Sequence, residues 1–415
     1  MKVCIFTLGC KVNQYESDSI ARALLANGIE VSEELEPADL YILNTCAVTT
    51  EAERKSRQLV ARVRKLNEGA QIYVTGCASQ HMPKAFENKR VTYTNGITGK
   101  NKLIDNFGVL NGVEIQPTGK DFEELYRDGC AYRVSERIRE YIKIQDGCNR
   151  FCSYCIIPFL RGRSRSRSVE SVVREVFASS APEIVITGID LSDYNGKNGL
   201  TELIKRLADT DKRIRLGSLE ASVIDENLLA ACKSIKGFCP HFHLSLQSGS
   251  DKVLADMNRH YTAAEFRGKV DLIRSVFPSA AITTDIIVGY PTETAEDFAN
   301  SLAFAREVGF ADIHVFPFSP REGTRAAKLK LLLPSTVAVR VTAMTALKNQ
   351  LTKAFSEQNI GQSAKVLVER KQNGKCEGYS ENYIRVYFTD GNVGDIISVR
   401  NEKLYKDGLF ARKEQ

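Results

Sequence analysis

Cys148-Asn149-Arg150-Phe151-Cys152-Ser153-Tyr154-Cys155 sets three thiols at C-x3-C-x2-C spacing in one loop. The residues before it, 139–145, read as a strand, so the loop leaves a strand end. A closed structural zinc site takes four ligands, and no second C-x2-C or His pair lies near to complete one. An iron–sulfur cube held by three thiolates keeps one iron free for a further ligand. A zinc knuckle is the alternative.

Outward from this loop the chain repeats strand and helix. Strands are expected at 139–145, 183–187, 213–219, 241–246, 281–288 and 312–318, with helices near 169–179, 201–207, 225–234, 263–276 and 295–308. Six such units predict a partial (β/α)6 barrel, two short of the full eight. Polar residues fall where these strands end: Gly188-Ile189-Asp190, Glu220, Gln247-Ser248-Gly249-Ser250 and Ser319-Pro320, with Asp285 inside the fifth strand. Barrels of this kind keep their chemistry on that face.

Upstream, strands at 2–8, 40–44 and 71–75 with helices at 17–26 and 51–67 predict an open parallel α/β sheet. Leu59, Val60, Val63 and Leu66 form the apolar stripe of the second helix. Cys10, Cys46 and Cys77 each follow a strand in the same phase, 36 and 31 residues apart. Carboxyl ends of parallel strands share one edge, so the three are expected to hold a shared metal. Residues 108–130 read as a connector. From Gly361, short alternating segments at 364–369, 374–377, 384–388 and 396–400, punctuated by glycines, predict a small β-barrel with ten basic and eight acidic residues.

The chain has 415 residues, 43% hydrophobic and 26% charged, with net charge +6. This composition excludes disordered, collagen-like and disulfide-miniprotein classes. No apolar run approaches the ~18 residues of a membrane span, and residues 1–10 are too short an apolar block for a signal peptide, so a cytoplasmic protein is expected. Eleven cysteines in such a chain favour metal or redox chemistry over a disulfide framework. Segment 321–353 carries seven basic residues against Glu322, and Arg161, Arg163, Arg165 and Arg167 alternate with small residues; both are candidate phosphate-binding stretches.

The C-x3-C-x2-C loop, with an aromatic residue before its third cysteine, resembles the radical S-adenosylmethionine superfamily. That resemblance implies a [4Fe-4S] cluster on Cys148, Cys152 and Cys155, whose free iron binds S-adenosylmethionine and cleaves it to a 5′-deoxyadenosyl radical. It also implies Tyr154 against the adenine and Gly188, Glu220, Gln247 and Asp285 along the cofactor cleft. Joined to Thr7-Leu8-Gly9-Cys10-Lys11-Val12-Asn13-Gln14-Tyr15-Glu16, Asn44-Thr45-Cys46-Ala47-Val48-Thr49, Gly76-Cys77, Arg161-Gly162-Arg163-Ser164-Arg165-Ser166, Leu246-Gln247-Ser248-Gly249-Ser250-Asp251 and 283–291, the chain resembles the methylthiotransferase family over its whole length. The resemblance implies a second [4Fe-4S] cluster on Cys10, Cys46 and Cys77 that delivers sulfur, and a C-terminal TRAM-like RNA-binding barrel. Expected domains are 1–115, a linker 116–135, the radical barrel 136–355 and the TRAM-like barrel 356–415.

Residues 8–14 are similar to the subgroup that converts N6-threonylcarbamoyladenosine at tRNA position 37 to its 2-methylthio derivative. Other subgroups act on isopentenyladenosine in tRNA or on a ribosomal-protein aspartate, and a zinc or RNA-binding protein is the non-enzymatic alternative. Expected partners are a tRNA anticodon stem-loop, contacted by Arg163 and Arg165, and a flavodoxin or ferredoxin as electron donor, with no membrane or DNA. Ala221, Ser245 and Glu322 depart from common family residues without removing a ligand. Cys4, Cys130, Cys232, Cys239 and Cys376 are expected only to pack.

Overall fold

A computed structural model describes residues 1–87, 91–94, 96–97, 138–196 and 198–414. The expected connector 108–130, the linker 116–135 and Cys130 lie outside these residues.

The N-terminal region runs β1 (Lys2–Thr7), α1 (Lys11–Ala26), β2 (Glu30–Ser32), β3 (Leu40–Thr45), α2 (Thr50–Leu66), β4 (Gln71–Gly76), α3 (Cys77–His81) and β5 (Tyr93–Thr94). The strands pair in parallel in the order β2-β1-β3-β4-β5. All six residues of β3 are buried, as a central parallel strand covered on both faces requires. Leu59, Val60 and Val63 of α2 enter the core as expected, whereas Leu66, at the helix end, is 37% exposed. Helix α1 starts at Lys11, six residues earlier than its apolar periodicity predicts, because its polar residues Asn13 and Glu16 are buried against neighbours rather than solvated.

The central region follows as β6 (Arg139–Asp146), β7 (Arg165–Ser166), β8 (Glu183–Gly188), β9 (Arg213–Leu216), β10 (Ser218–Leu219), β11 (His241–Leu244), β12 (Ala281–Val288) and β13 (Asp312–Pro317). Its strands form two four-stranded sheets, β7-β6-β8-β9 and β10-β11-β12-β13. The expected single strand 213–219 is broken at Gly217, whose N–H turns to the Ile186 carbonyl at 2.8 Å. Helices at Val169–Ala178, Gly199–Arg206, Glu226–Ser234, Ala263–Val276 and Ala295–Val308 match their predicted positions within two residues. Thr262 with Glu265 and Thr294 with Asp297 build capping boxes at the last two.

Alternation along these strands sorts the side chains. Ile142, Ile144, Ile184, Ile186, Phe242, Ile282 and Ile313 face the helices in one core, while Arg139, Tyr141, Val185, Arg215, His241, His243, Thr283 and His314 line the lumen. The barrel interior is therefore largely polar.

The basic segment 321–353 is mostly the 25-residue helix Pro334–Gln358, which the sequence reading did not identify. Its Met344 and Leu347 are buried in the barrel core. Arg340 is tied to Glu293, Arg321 to Glu53 at 3.0 Å and Lys348 to Asp312 at 3.3 Å. These three are structural ion pairs, which corrects their reading as phosphate contacts.

The C-terminal region is a closed barrel of β14 (Ser363–Gln372), β15 (Lys375–Ser380), β16 (Arg385–Phe388), β17 (Ile396–Tyr405) and β18 (Gly408–Lys413), in the order β14-β15-β16-β18-β17. Strand β18 was not anticipated, although Asp407-Gly408 before it is a hairpin signal. Asn373 and Gly374, at φ of 51° and 74°, make the tight turn between β14 and β15.

Candidate active site

The carboxyl edge of the N-terminal sheet faces the mouth of the central barrel across one cavity of about 600 Å³. Cys10, Cys46, Cys77, Cys148, Cys152 and Cys155 all line it. On the sheet side, Cys46 directly follows β3, Cys77 follows Gly76 at the end of β4, and Cys10 lies three residues past the end of β1. Gly9, at φ +104°, must be glycine, because a Cβ there would lie 2.8 Å from the Cys46 sulfur. The Asn13 amide donates to the Leu8 and Thr45 carbonyls, both at 2.9 Å, and so fixes the exits of β1 and β3.

On the barrel side, Gly147 has φ +73° and a Cβ there would meet the Arg163 carbonyl at 2.1 Å. The Asn258 amide donates to the Arg150 and Phe151 carbonyls at 3.1 and 3.2 Å and holds the loop from beneath. Arg150 bridges Asp190 at 2.8 Å and Glu220 at 2.6 Å, and Arg259 reaches Glu220 at 3.3 Å and the Cys152 sulfur at 3.5 Å. Glu220 is thus a cavity-lining carboxylate already paired twice. Tyr154, Gly188, Gln247 and Asp285 also line the cavity. Asp285 accepts from His243 and His314, which keep its carboxyl well below the usual range despite burial.

The four expected arginines separate. Arg161 is buried, bound to Glu16 at 2.8 Å and Asp146 at 2.9 Å, and it donates to the side-chain amide oxygen of Asn13 at 2.7 Å. Arg167 is buried against Glu175 at 2.5 Å. Both are interior pairs, which corrects their reading as candidate phosphate contacts. Arg163 and Arg165 are exposed but do not line the cavity; Arg163 stacks over Phe151 at 4.5 Å. Sequence reasoning missed Arg150, Arg259, His243 and His314; the last two were visible only as polar breaks in apolar strands.

Burial pushes the Cys46 and Cys155 thiols up to about 12 and Cys148 to about 11. Thiols in such surroundings become thiolates when a cation binds them. Among the described residues, the one group of three potential ligands whose atoms all lie within 4.8 Å of one another is His243, Asp285 and His314; no cysteine trio is that close. A lone tetrahedral zinc, at about 2.3 Å per sulfur, needs sulfurs within about 4 Å. Both cysteine trios are wider than that. Cys4, Cys232, Cys239 and Cys376 are buried elsewhere.

Residues 2–96 match Uncharacterized protein family UPF0004, and residues 142–305 match the Radical SAM superfamily. The threonylcarbamoyladenosine tRNA methylthiotransferase MtaB of Thermotoga maritima is 37% identical over 99% of this chain and 96% of its own length. The protein of the same name from Bacillus subtilis is 35% identical over 99% and 96%. The chain belongs to the radical S-adenosylmethionine methylthiotransferase family. A tRNA-2-methylthio-N(6)-dimethylallyladenosine synthase from Thermodesulfovibrio yellowstonii is 32% identical over 98% and 97%. In fold, the chain is similar to the radical S-adenosylmethionine methyltransferase TsrM from Kitasatospora setae, with TM-score 0.54 and 17% identity over 91% of this chain and 80% of that one. Enzymes of this methylthiotransferase family use S-adenosylmethionine and two [4Fe-4S] clusters, which agrees with two open cysteine trios on one cavity.

Proposed function

We propose that this chain converts N6-threonylcarbamoyladenosine at position 37 of tRNA to its 2-methylthio derivative. The observation that carries the reading is the single cavity walled by both cysteine trios, supported by four relatives of that activity's name at 35–37% identity. Cys148, Cys152 and Cys155 hold the cluster that engages S-adenosylmethionine, and Cys10, Cys46 and Cys77 hold the second. Once bound, these groups supply radical hydrogen abstraction at C2, a sulfur atom and a methyl group. The C2–H bond on an aromatic ring offers no acidic proton, so the lining carboxylates Glu220 and Asp285 do not serve as bases on it. Their partners assign them to positioning: Arg150 and Arg259 fix Glu220, and two histidines fix Asp285. Tyr154, Gly188 and Gln247 shape the cofactor side of the cavity.

The substrate is an anticodon stem-loop with its target base unstacked into the cavity. The C-terminal barrel offers it a basic aromatic face, with Lys375 over Tyr405 at 5.5 Å, Lys406 over Tyr387 at 5.1 Å and Lys403 over Phe410 at 5.8 Å. Arg163 and Arg165, exposed outside the cavity lining, contribute phosphate contacts. A flavodoxin or ferredoxin supplies electrons. The division into domains 1–115, 136–355 and 356–415 and a cytoplasmic location belong to this reading, and no helix among the described residues is long and apolar enough to cross a membrane.

The test is anaerobic reconstitution, incubation with tRNA or ribosomal protein, and mass spectrometry of nucleosides and peptides. Methylthiolated threonylcarbamoyladenosine is expected; methylthiolated peptide with unaltered tRNA overturns the reading. Cys148→Ala is expected to abolish S-adenosylmethionine cleavage, whereas Cys10→Ala keeps cleavage and loses sulfur insertion.

A further inference from the structure

The six-cysteine cavity meets a second one, of about 270 Å³, inside the barrel and closed below by Tyr379, Tyr383 and Arg385 of the C-terminal barrel. Lys11, His243 and His314 line both cavities and so stand at the neck between them. The two histidines are committed to Asp285, at 3.3 and 3.1 Å. Lys11 is exposed to the open space and makes no hydrogen bond or ion pair with any described residue.

The surrounding charge is unbalanced in the same sense. Arg139, Arg213 and Arg215 share the single carboxylate of Glu183 at 2.9, 2.9 and 3.0 Å, with Glu369 adding a second acid on Arg139 at 2.7 Å. Along the second cavity itself Lys11, Arg139, Arg215 and Arg385 face two carboxylates, Asp312 and Asp407, and the neck adds Asp285, which its two histidines already hold. Lys11 also opens α1, whose first turn contains no acidic side chain, so the helix end adds to the positive potential. An unpaired cation beside a ligand-sized space, in a cation-rich wall, is matched by an anion.

We propose that Lys11 is a specificity-determining residue that binds the free carboxylate of the amino-acid group on N6 of the substrate base. The inference rests on the proposed function, whose substrate carries that carboxylate where an isopentenyl group is apolar and uncharged. The base occupies the six-cysteine cavity and its N6 substituent extends to the neck.

The test uses the reconstituted enzyme and two anticodon stem-loops, one carrying threonylcarbamoyladenosine and one its threonyl methyl ester. Affinities are measured without reductant, and KM and kcat with it. A charge-assisted contact predicts that the wild type binds the acid roughly 10- to 100-fold more tightly than the ester. Lys11→Met is expected to bring that ratio close to one, acting on KM more than on kcat, and Lys11→Arg to retain most of it. Iron content of each variant and its 5′-deoxyadenosine formation report whether cluster loading has changed, and the affinity ratio is read independently of turnover. A Lys11→Met enzyme that keeps the wild-type acid-to-ester ratio overturns the inference while leaving the proposed function intact. A wild type that never methylthiolates the acid-bearing stem-loop removes both.

Discussion

Single residues around the cavity are constrained by contacts that their neighbours impose. Gly9 has both a left-handed backbone and the Cys46 sulfur where a methyl group would go. Gly9→Ala is therefore expected to displace Cys46 and lose about four irons per chain, read as iron content against an unchanged radical-cluster signal. His314 is held above its ordinary value first by its hydrogen bond to Asp285. Such a raised group contributes stability that is complete below the ordinary histidine value and fades as pH rises through the raised one. Because His314 is half exposed, that contribution is small, so the sharper measurement is its titration by NMR of labelled histidine. Asp285→Asn should move the midpoint downward; an unmoved midpoint would refute the assigned pair. At this scale the cysteines were legible because their spacing is their chemistry. Glu220's double pairing was not, because Arg150 and Arg259 are 109 residues apart in sequence.

Between elements, buried charge replaces apolar packing at the joint of sheet and barrel. Glu16 on α1 and Asp146 on β6 together bind Arg161 and Lys143 at 2.6 to 2.9 Å, with Glu16, Arg161 and Lys143 buried and Asp146 partly so. Removing one partner from such a group leaves charge uncompensated, so Glu16→Gln should cost about 3–5 kcal/mol, measured by urea unfolding of the intact chain. Surface-like losses below about 1 kcal/mol would show that the group is solvated. The periodicity of α1 falls six residues short for this reason: its first turns are buried through the polar Asn13 and Glu16, which break the apolar pattern there.

Across the whole molecule, Glu183 fastens the C-terminal barrel beneath the central one. Its three guanidinium partners also donate to or stack on the C-terminal region: Arg213 to the Lys365 carbonyl at 3.2 Å, Arg215 to the Glu381 carbonyl at 3.0 Å, and Arg139 over Tyr379 at 4.9 Å. Despite burial, Arg215, Arg213 and Arg139 hold the Glu183 carboxyl down at about 2. A depressed carboxyl contributes stability that is complete above the ordinary glutamate value and lost as pH falls through the depressed one. Unfolding of iron-free chain, followed by circular dichroism between about pH 4.5 and 2, should therefore be less steep in Glu183→Gln, which starts less stable at neutral pH; an identical acid transition would remove Glu183 from this role. By itself the sequence determined the two cysteine trios, the alternation of strand and helix and the family, since spacing and periodicity are local properties of the chain. Tertiary structure alone decided which arginines are interior pairs, that the long basic segment is a packed helix, and that both trios face one cavity with Lys11 at its neck. Those outcomes depend on partners brought together from distant parts of the chain, and a side chain's charge does not specify which opposite charge will meet it.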